Sequence, residues 1–178
     1  MNPRRKFKAT ALTIVTLLGV AATATGPAAR AASGTPCTFE FDVVASPGLN
    51  SSPSSGTIGS NGQTGTASCS GPVNGKQPSG PGKTGVDGHY GTKDGDTCQG
   101  GGEGDGVQAF TIPTSDGSEQ IKNTFTYDYG AFKAGALISG TFTGDRMSGT
   151  FTAQPVDGDC ASHPVTKFHV KAKGTLNS

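Results

Sequence analysis

Three histidines, several closely spaced carboxylates and a run of threonines are the residues of this sequence whose types could do chemistry. His89 sits in Asp87-Gly88-His89-Tyr90, with Asp94 and Asp96 a few positions further on. An imidazole titrates near neutrality, so one held by Asp87 or Asp94 could act as a general base, as a secreted hydrolase would require. The stretch is rich in turn residues, however, and a glycine-rich loop holds a base poorly, so the plainer expectation is an exposed loop histidine. His163 precedes Pro164 and His169 alternates with lysines, and neither has the setting of a catalytic group. No serine has glycine both two residues before and two after it, so the nucleophile elbow of the common serine hydrolases is missing.

Carboxylates cluster in Asp94-Gly95-Asp96, in Glu103-Gly104-Asp105 and in Asp157-Gly158-Asp159. Calcium takes carboxylates on tight turns, but neither the spacing of an EF-hand loop nor that of the calcium-binding nonapeptide repeat is present. Asp and Gly are also the ordinary occupants of turns, and solvated turns are the expectation. Thr-Phe-Thr occurs at 124–126, 141–143 and 150–152, and strand alternation would set Thr141, Thr143, Thr150 and Thr152 on the face opposite the phenylalanines. Such a face could meet an ordered surface such as crystalline polysaccharide, although threonine also simply suits the wet side of a strand. The candidate binding residues are therefore Thr141, Thr143, Thr150 and Thr152, together with His89, Asp94 and Asp96.

Cys37, Cys69, Cys98 and Cys160 form no C-x-x-C pair and are not spaced with histidines as zinc ligands, so no metal and no other cofactor is expected. An even number of cysteines in an exported chain is read first as disulfides. Three pairings are open; the expectation leans to Cys69–Cys98 with Cys37–Cys160, which would tie down the segment with least else to hold it.

The export reading comes from residues 1–31. Met1–Lys8 is a basic leader, Ala9–Gly26 is apolar, and Ala28-Ala29-Arg30-Ala31 has the small residues of a cleavage site after Ala31. Arg4-Arg5 leaves open whether the route is twin-arginine or general secretion. Five of the 14 basic residues lie in this segment, so residues 32–178 carry nine bases against 13 acids, a net charge of −4. That balance offers neither a basic footprint for nucleic acid nor, once the leader is removed, a membrane patch. The remaining chain reads as one secreted domain whose partner is an unidentified extracellular or cell-wall ligand.

The elements that must position these residues are strands. Phe39, Phe41 and Val43 alternate with Thr38, Glu40 and Asp42; Ile121, Phe125, Tyr127 and Tyr129 alternate with Thr124, Thr126 and Asp128; and Phe168, Val170 and Ala172 alternate with lysines and His169. No stretch after residue 31 keeps a 3.6-residue apolar period. Residues 48–106, with 18 glycines and eight apolar residues, read as a turn-rich, loop-forming segment. Ser-Gly-Thr-Phe-Thr occurs twice, at 139–143 and 148–152, which predicts a hairpin. A two-residue II′ turn at Gly144-Asp145 would oppose Phe142 to Met147, Gly140 to Gly149 and Ile138 to Phe151, leaving a glycine trough for an aromatic such as Phe125 or Phe168. One dry and one wet face per strand defines an all-β, antiparallel, disulfide-stapled sandwich, with a closed antiparallel barrel as the alternative.

Cys37 leading into the Phe39–Val44 strand, the glycine-punctuated middle, the Gly140/Gly149 hairpin and Cys160 before a final alternating strand together resemble small, glycine-rich secreted bacterial β-sandwich proteins of unassigned activity. The resemblance covers most of residues 37–173 and implies the fold but no functional residue. The functional expectation is a non-enzymatic secreted or envelope-associated binding protein, with a hydrolase using a His/carboxylate site in the glycine-rich segment as the alternative.

Overall fold

The computed structural model describes residues 34–131 and 136–177; the export segment and its cleavage point lie outside the described residues. Nine strands and no helix make up the described fold: β1 (Gly34–Leu49), β2 (Gly56–Gly59), β3 (Gly65–Cys69), β4 (Gly82–Tyr90), β5 (Gly102–Thr114), β6 (Gly117–Tyr129), β7 (Ile138–Gly144), β8 (Met147–Pro155) and β9 (Val165–Asn177). The glycine-rich segment thus carries three complete strands among its turns. Every pairing is antiparallel. β2 and β3 follow one another along one edge of β1 and both pair with β4, while β9 occupies the other edge of β1, so the ladder returns to the strand where it begins. On the inner side the Phe39 ring on β1 meets that of Phe110 on β5 edge-on, with centroids 5.1 Å apart.

The alternation expected for β1, β6 and β9 holds. Cys37, Phe39, Phe41, Val43 and Ala45 are buried on β1, and Phe168, Val170, Ala172 and Leu176 on β9. Six of the eight apolar residues of the glycine-rich segment (Leu49, Ala67, Val73, Val86, Tyr90 and Cys98) are also buried, so a sparse supply is spent almost wholly on the core. The pairing of β1 with β9 matches charge to charge on the outer face. Glu40 and Asp42 register with Lys171 and His169, and the His169 ring bonds Asp42 at 2.8 Å through Nδ1 and Glu40 at 3.0 Å through Nε2. That imidazole is the main reason both carboxyls titrate below their ordinary range.

The 139–152 hairpin forms with the expected faces: Ile138, Phe142 and Met147 are buried and Phe151 is partly buried against the same core. Its register is two residues away from the expected one. Thr143 faces Ser148, Phe142 faces Gly149 and Gly140 faces Phe151, so four residues and not two separate the last pair of the β7–β8 ladder. Gly144 does not take the positive φ that a II′ turn requires. The physical reason lies on the neighbouring strand. Asn123 Oδ1 accepts the N–H groups of Arg146 at 3.0 Å and Met147 at 2.9 Å, and Thr124 exchanges bonds with Asp145, so β6 satisfies the turn from outside. The glycine trough is filled by the hairpin's own ring: a Cβ on Gly140 would stand 2.4 Å from Phe151 Cζ.

The disulfides are Cys37–Cys69 and Cys98–Cys160, which corrects the expected pairing. Cys37 and Cys69 are direct cross-strand neighbours in the β1–β3 ladder with Cα atoms 4.1 Å apart, a contact the unassigned register had concealed. Cys98 and Cys160 lie in connections outside the strands. No described cysteine is free.

Candidate ligand-binding cavity

Strand parity turns one wall of the interior into a panel of rings. Phe125, Tyr127 and Tyr129 point inward from β6, Phe142 from β7 and Phe151 from β8. Tyr127 and Tyr129 stack at 6.3 Å, while Phe125 meets Phe142, and Tyr127 meets Phe151, edge-on at 6.2 and 6.1 Å. The glycines of β5 make this possible. Gly102, Gly104 and Gly106 lie directly opposite Tyr129, Tyr127 and Phe125 in the ladder, and a Cβ on Gly104 would come within 2.6 Å of the Tyr127 ring. Glycine here supplies room for an aromatic neighbour.

These rings do not fill the interior. Between them and Phe41, Val43, Val86, Phe168, Val170 and Ala172 lies a cavity of about 110 Å³, to which every strand except β3 contributes a wall residue. Its surface is almost entirely carbon because the tyrosine hydroxyls are turned to acceptors in the protein. Tyr127 donates to the His89 carbonyl at 3.1 Å, Tyr129 to Asp96 Oδ2 at 2.9 Å, and Tyr90 to the Pro47 carbonyl. Burial, reinforced for Tyr127 and Tyr129 by the nearby Asp96 charge, holds these two phenols well above the usual tyrosine range, so they stay neutral. The remaining polar wall residue is Gln108.

Asp96 belongs to the structure around this cavity. It is 1% exposed, and its Oδ1 accepts the Glu103 N–H at 3.1 Å while its Oδ2 accepts a hydrogen bond from the Tyr129 hydroxyl. Desolvation pushes its carboxyl above the ordinary range even though these bonds favour the charged form. Asp94 is exposed and His89 points outward from β4, so the three residues named from the sequence do not converge. His89 Nδ1 lies 3.0 Å from Asp105 Oδ1 on β5, and its side chain is 64% exposed. Asp87, His89 and Asp105 line a separate outer depression that also touches Thr126 and Thr143.

The threonines do gather. Thr141 faces Thr150, Thr143 faces Ser148, and Thr152 faces Ser139, all on the outer side of β7 and β8. Thr126 continues the row beside Thr143, and Thr141 Oγ1 donates to Asp128 at 2.5 Å. The Asp157-Gly158-Asp159 carboxylates are occupied as turn acceptors. Asp157 Oδ1 takes the N–H groups of Thr166 and Lys167 at 2.9 and 2.8 Å, and Asp159 Oδ1 takes three N–H groups from Ala161, Ser162 and His163. Among the described residues no group of three His, Cys, Asp or Glu side chains could hold a metal ion.

Sequence reasoning missed the cavity and Gln108. A signal existed: Gly104, Gly106, Gln108, Phe110 and Ile112 share one parity, so a lone amide stands in line with glycines and core residues. The fold and cavity define an antiparallel β protein with an aromatic-walled interior. Comparisons with protein-family models, with curated proteins and with solved structures each find no match.

Proposed function

We propose that this is an exported, non-enzymatic binding protein that takes a compact apolar molecule, of about one ring, into the interior of its sheet. The observation that carries the reading is the unfilled, ring-lined cavity of about 110 Å³. Protein interiors pack densely, and such a void forfeits dispersion contacts that a guest restores. A dry cavity of roughly 150 Å³ lined by aliphatic and aromatic side chains is enough to bind benzene, so a slightly smaller one limits the guest to about a single ring. Export fits the use of all four cysteines in disulfides.

The test is benzene itself, added to the folded protein while the melting temperature is followed. Wild type is expected to melt higher as benzene rises through the millimolar range, because a ligand bound only by the native state stabilises it. Ala153→Leu, which extends an inward side chain of β8 into the cavity, is expected to fold and to show no such rise. A wild-type melting temperature indifferent to benzene would remove the proposal.

A further inference from the structure

Gln108 carries the one unclaimed polar atom among the described side chains on the cavity wall. It is 4% exposed, on an inward position of β5. Its Nε2 donates to Thr84 Oγ1 at 3.2 Å, and that hydroxyl gives its own proton to the Ala109 carbonyl at 3.4 Å. In this arrangement Thr84 accepts from the glutamine and donates to Ala109, which sets the amide nitrogen toward Thr84 and the carbonyl oxygen away from it. Among the described residues no hydrogen bond is made to Gln108 Oε1, and unlike Glu103 Oε1 and Asn123 Nδ2 this atom is not sealed off among protein atoms. An acceptor that keeps accessible surface beside a carbon-lined space gains from whatever supplies a donor.

Directly opposite in the ladder, Asn123 is fully buried on β6. Its Oδ1 is committed to the turn at Arg146 and Met147, which leaves Nδ2 with no acceptor. The two amides register side by side without bonding each other. A direct Asn123–Gln108 bond would be the arrangement that silences Gln108 toward a guest.

We propose that Gln108 Oε1 is the specificity group of this cavity, selecting a compact ring compound with one hydroxyl or N–H donor, a phenol in chemical type, over the bare hydrocarbon. The inference rests on the cavity reading above and adds the polar end of the ligand. In an otherwise carbon-lined space, a hydroxyl must find this acceptor or lose its hydration without return.

Phenol and fluorobenzene, which are close in size but differ in the donor, serve as probes in calorimetric titrations. Wild type is expected to bind phenol at least as tightly as fluorobenzene. Gln108→Leu, similar in volume, is expected to hold fluorobenzene within about twofold and to weaken phenol by about tenfold, the scale of one buried hydrogen bond. Ala153→Leu should lose both probes, and phenol retained by that variant would place it outside the cavity and overturn the assignment. Phenol weaker than fluorobenzene in wild type would overturn the role of Gln108 while leaving the cavity reading standing, and needs no variant to fold. If neither probe binds wild type, the cavity reading fails and this inference with it.

Discussion

A single buried carboxylate shows how the interior is balanced. Asp96 stood out in the sequence as one of a pair of turn acids, yet it is enclosed against Tyr129 and the Glu103 backbone while its neighbour Asp94 faces solvent. Desolvation raises its pKa, so the folded state holds the proton more tightly than the unfolded chain. The stability associated with the neutral form is then full below the unfolded value, about 3.9, and is lost as pH rises through the folded one. Five carboxyls nearer the surface act in the other direction: Glu40, Asp42, Glu119, Asp157 and Asp159 titrate low, and their contribution is present above the unfolded value and lost on acidification. An Asp96→Asn variant isolates the first effect, because it removes the titration and leaves the others in place. In urea unfolding, the stability of wild type minus that of Asp96→Asn should fall as pH rises from 3.5 to 7. A difference that grows over this range would show that the Tyr129 and Glu103 bonds outweigh desolvation.

At the scale of elements, the β7–β8 turn is built by a residue outside the hairpin. Asn123 replaces the bonds that a tight two-residue turn would have made itself, and Asn123→Leu should leave the N–H groups of Arg146 and Met147 without a buried acceptor. The expected cost is about 2–4 kcal/mol in chemical denaturation, from two orphaned donors at roughly 1–3 kcal/mol each less what water recovers. A loss below 0.5 kcal/mol would mean that the turn closes without β6. This dependence explains what could be read from the sequence. Strand identity and facing follow from a period of two, which is local, so the inward sides of Phe39, Phe125, Phe142 and Phe168 were legible. Register is a relation between strands, and a shift of two residues keeps every side chain on its face. The Ser-Gly-Thr-Phe-Thr repeat therefore gave the right faces and the wrong opposite residues. Gln108 was hidden for a related reason: only the ladder shows that its alternating neighbours Gly104 and Gly106 make space for Tyr127 and Phe125.

For the whole molecule, the two disulfides do unequal work, and their sequence separations say which matters more. Cys37–Cys69 closes 32 residues between strands already joined by the β1–β3 ladder, whereas Cys98–Cys160 closes 62 residues and links two connections that no strand pairing joins. In the chain-entropy picture each bridge contributes about 2–4 kcal/mol, and the longer loop adds roughly 0.6 kcal/mol over the shorter. The Cys98→Ser/Cys160→Ser double variant should therefore be the less stable of the two bridge deletions in urea. The segment released by that deletion carries Asp96, which accepts a hydrogen bond from the Tyr129 hydroxyl beside the cavity. Its loss should accordingly weaken benzene binding, while Cys37→Ser/Cys69→Ser leaves that binding near wild type. Peptide mapping of the oxidised protein supplies the prior check, since a Cys69–Cys98 linkage would contradict the cross-strand pairing on which the ranking depends. Equal benzene affinity in both deletions would show that the ring panel of β6, β7 and β8 keeps its shape without the Asp96 segment, held by the ladder and its facing glycines alone.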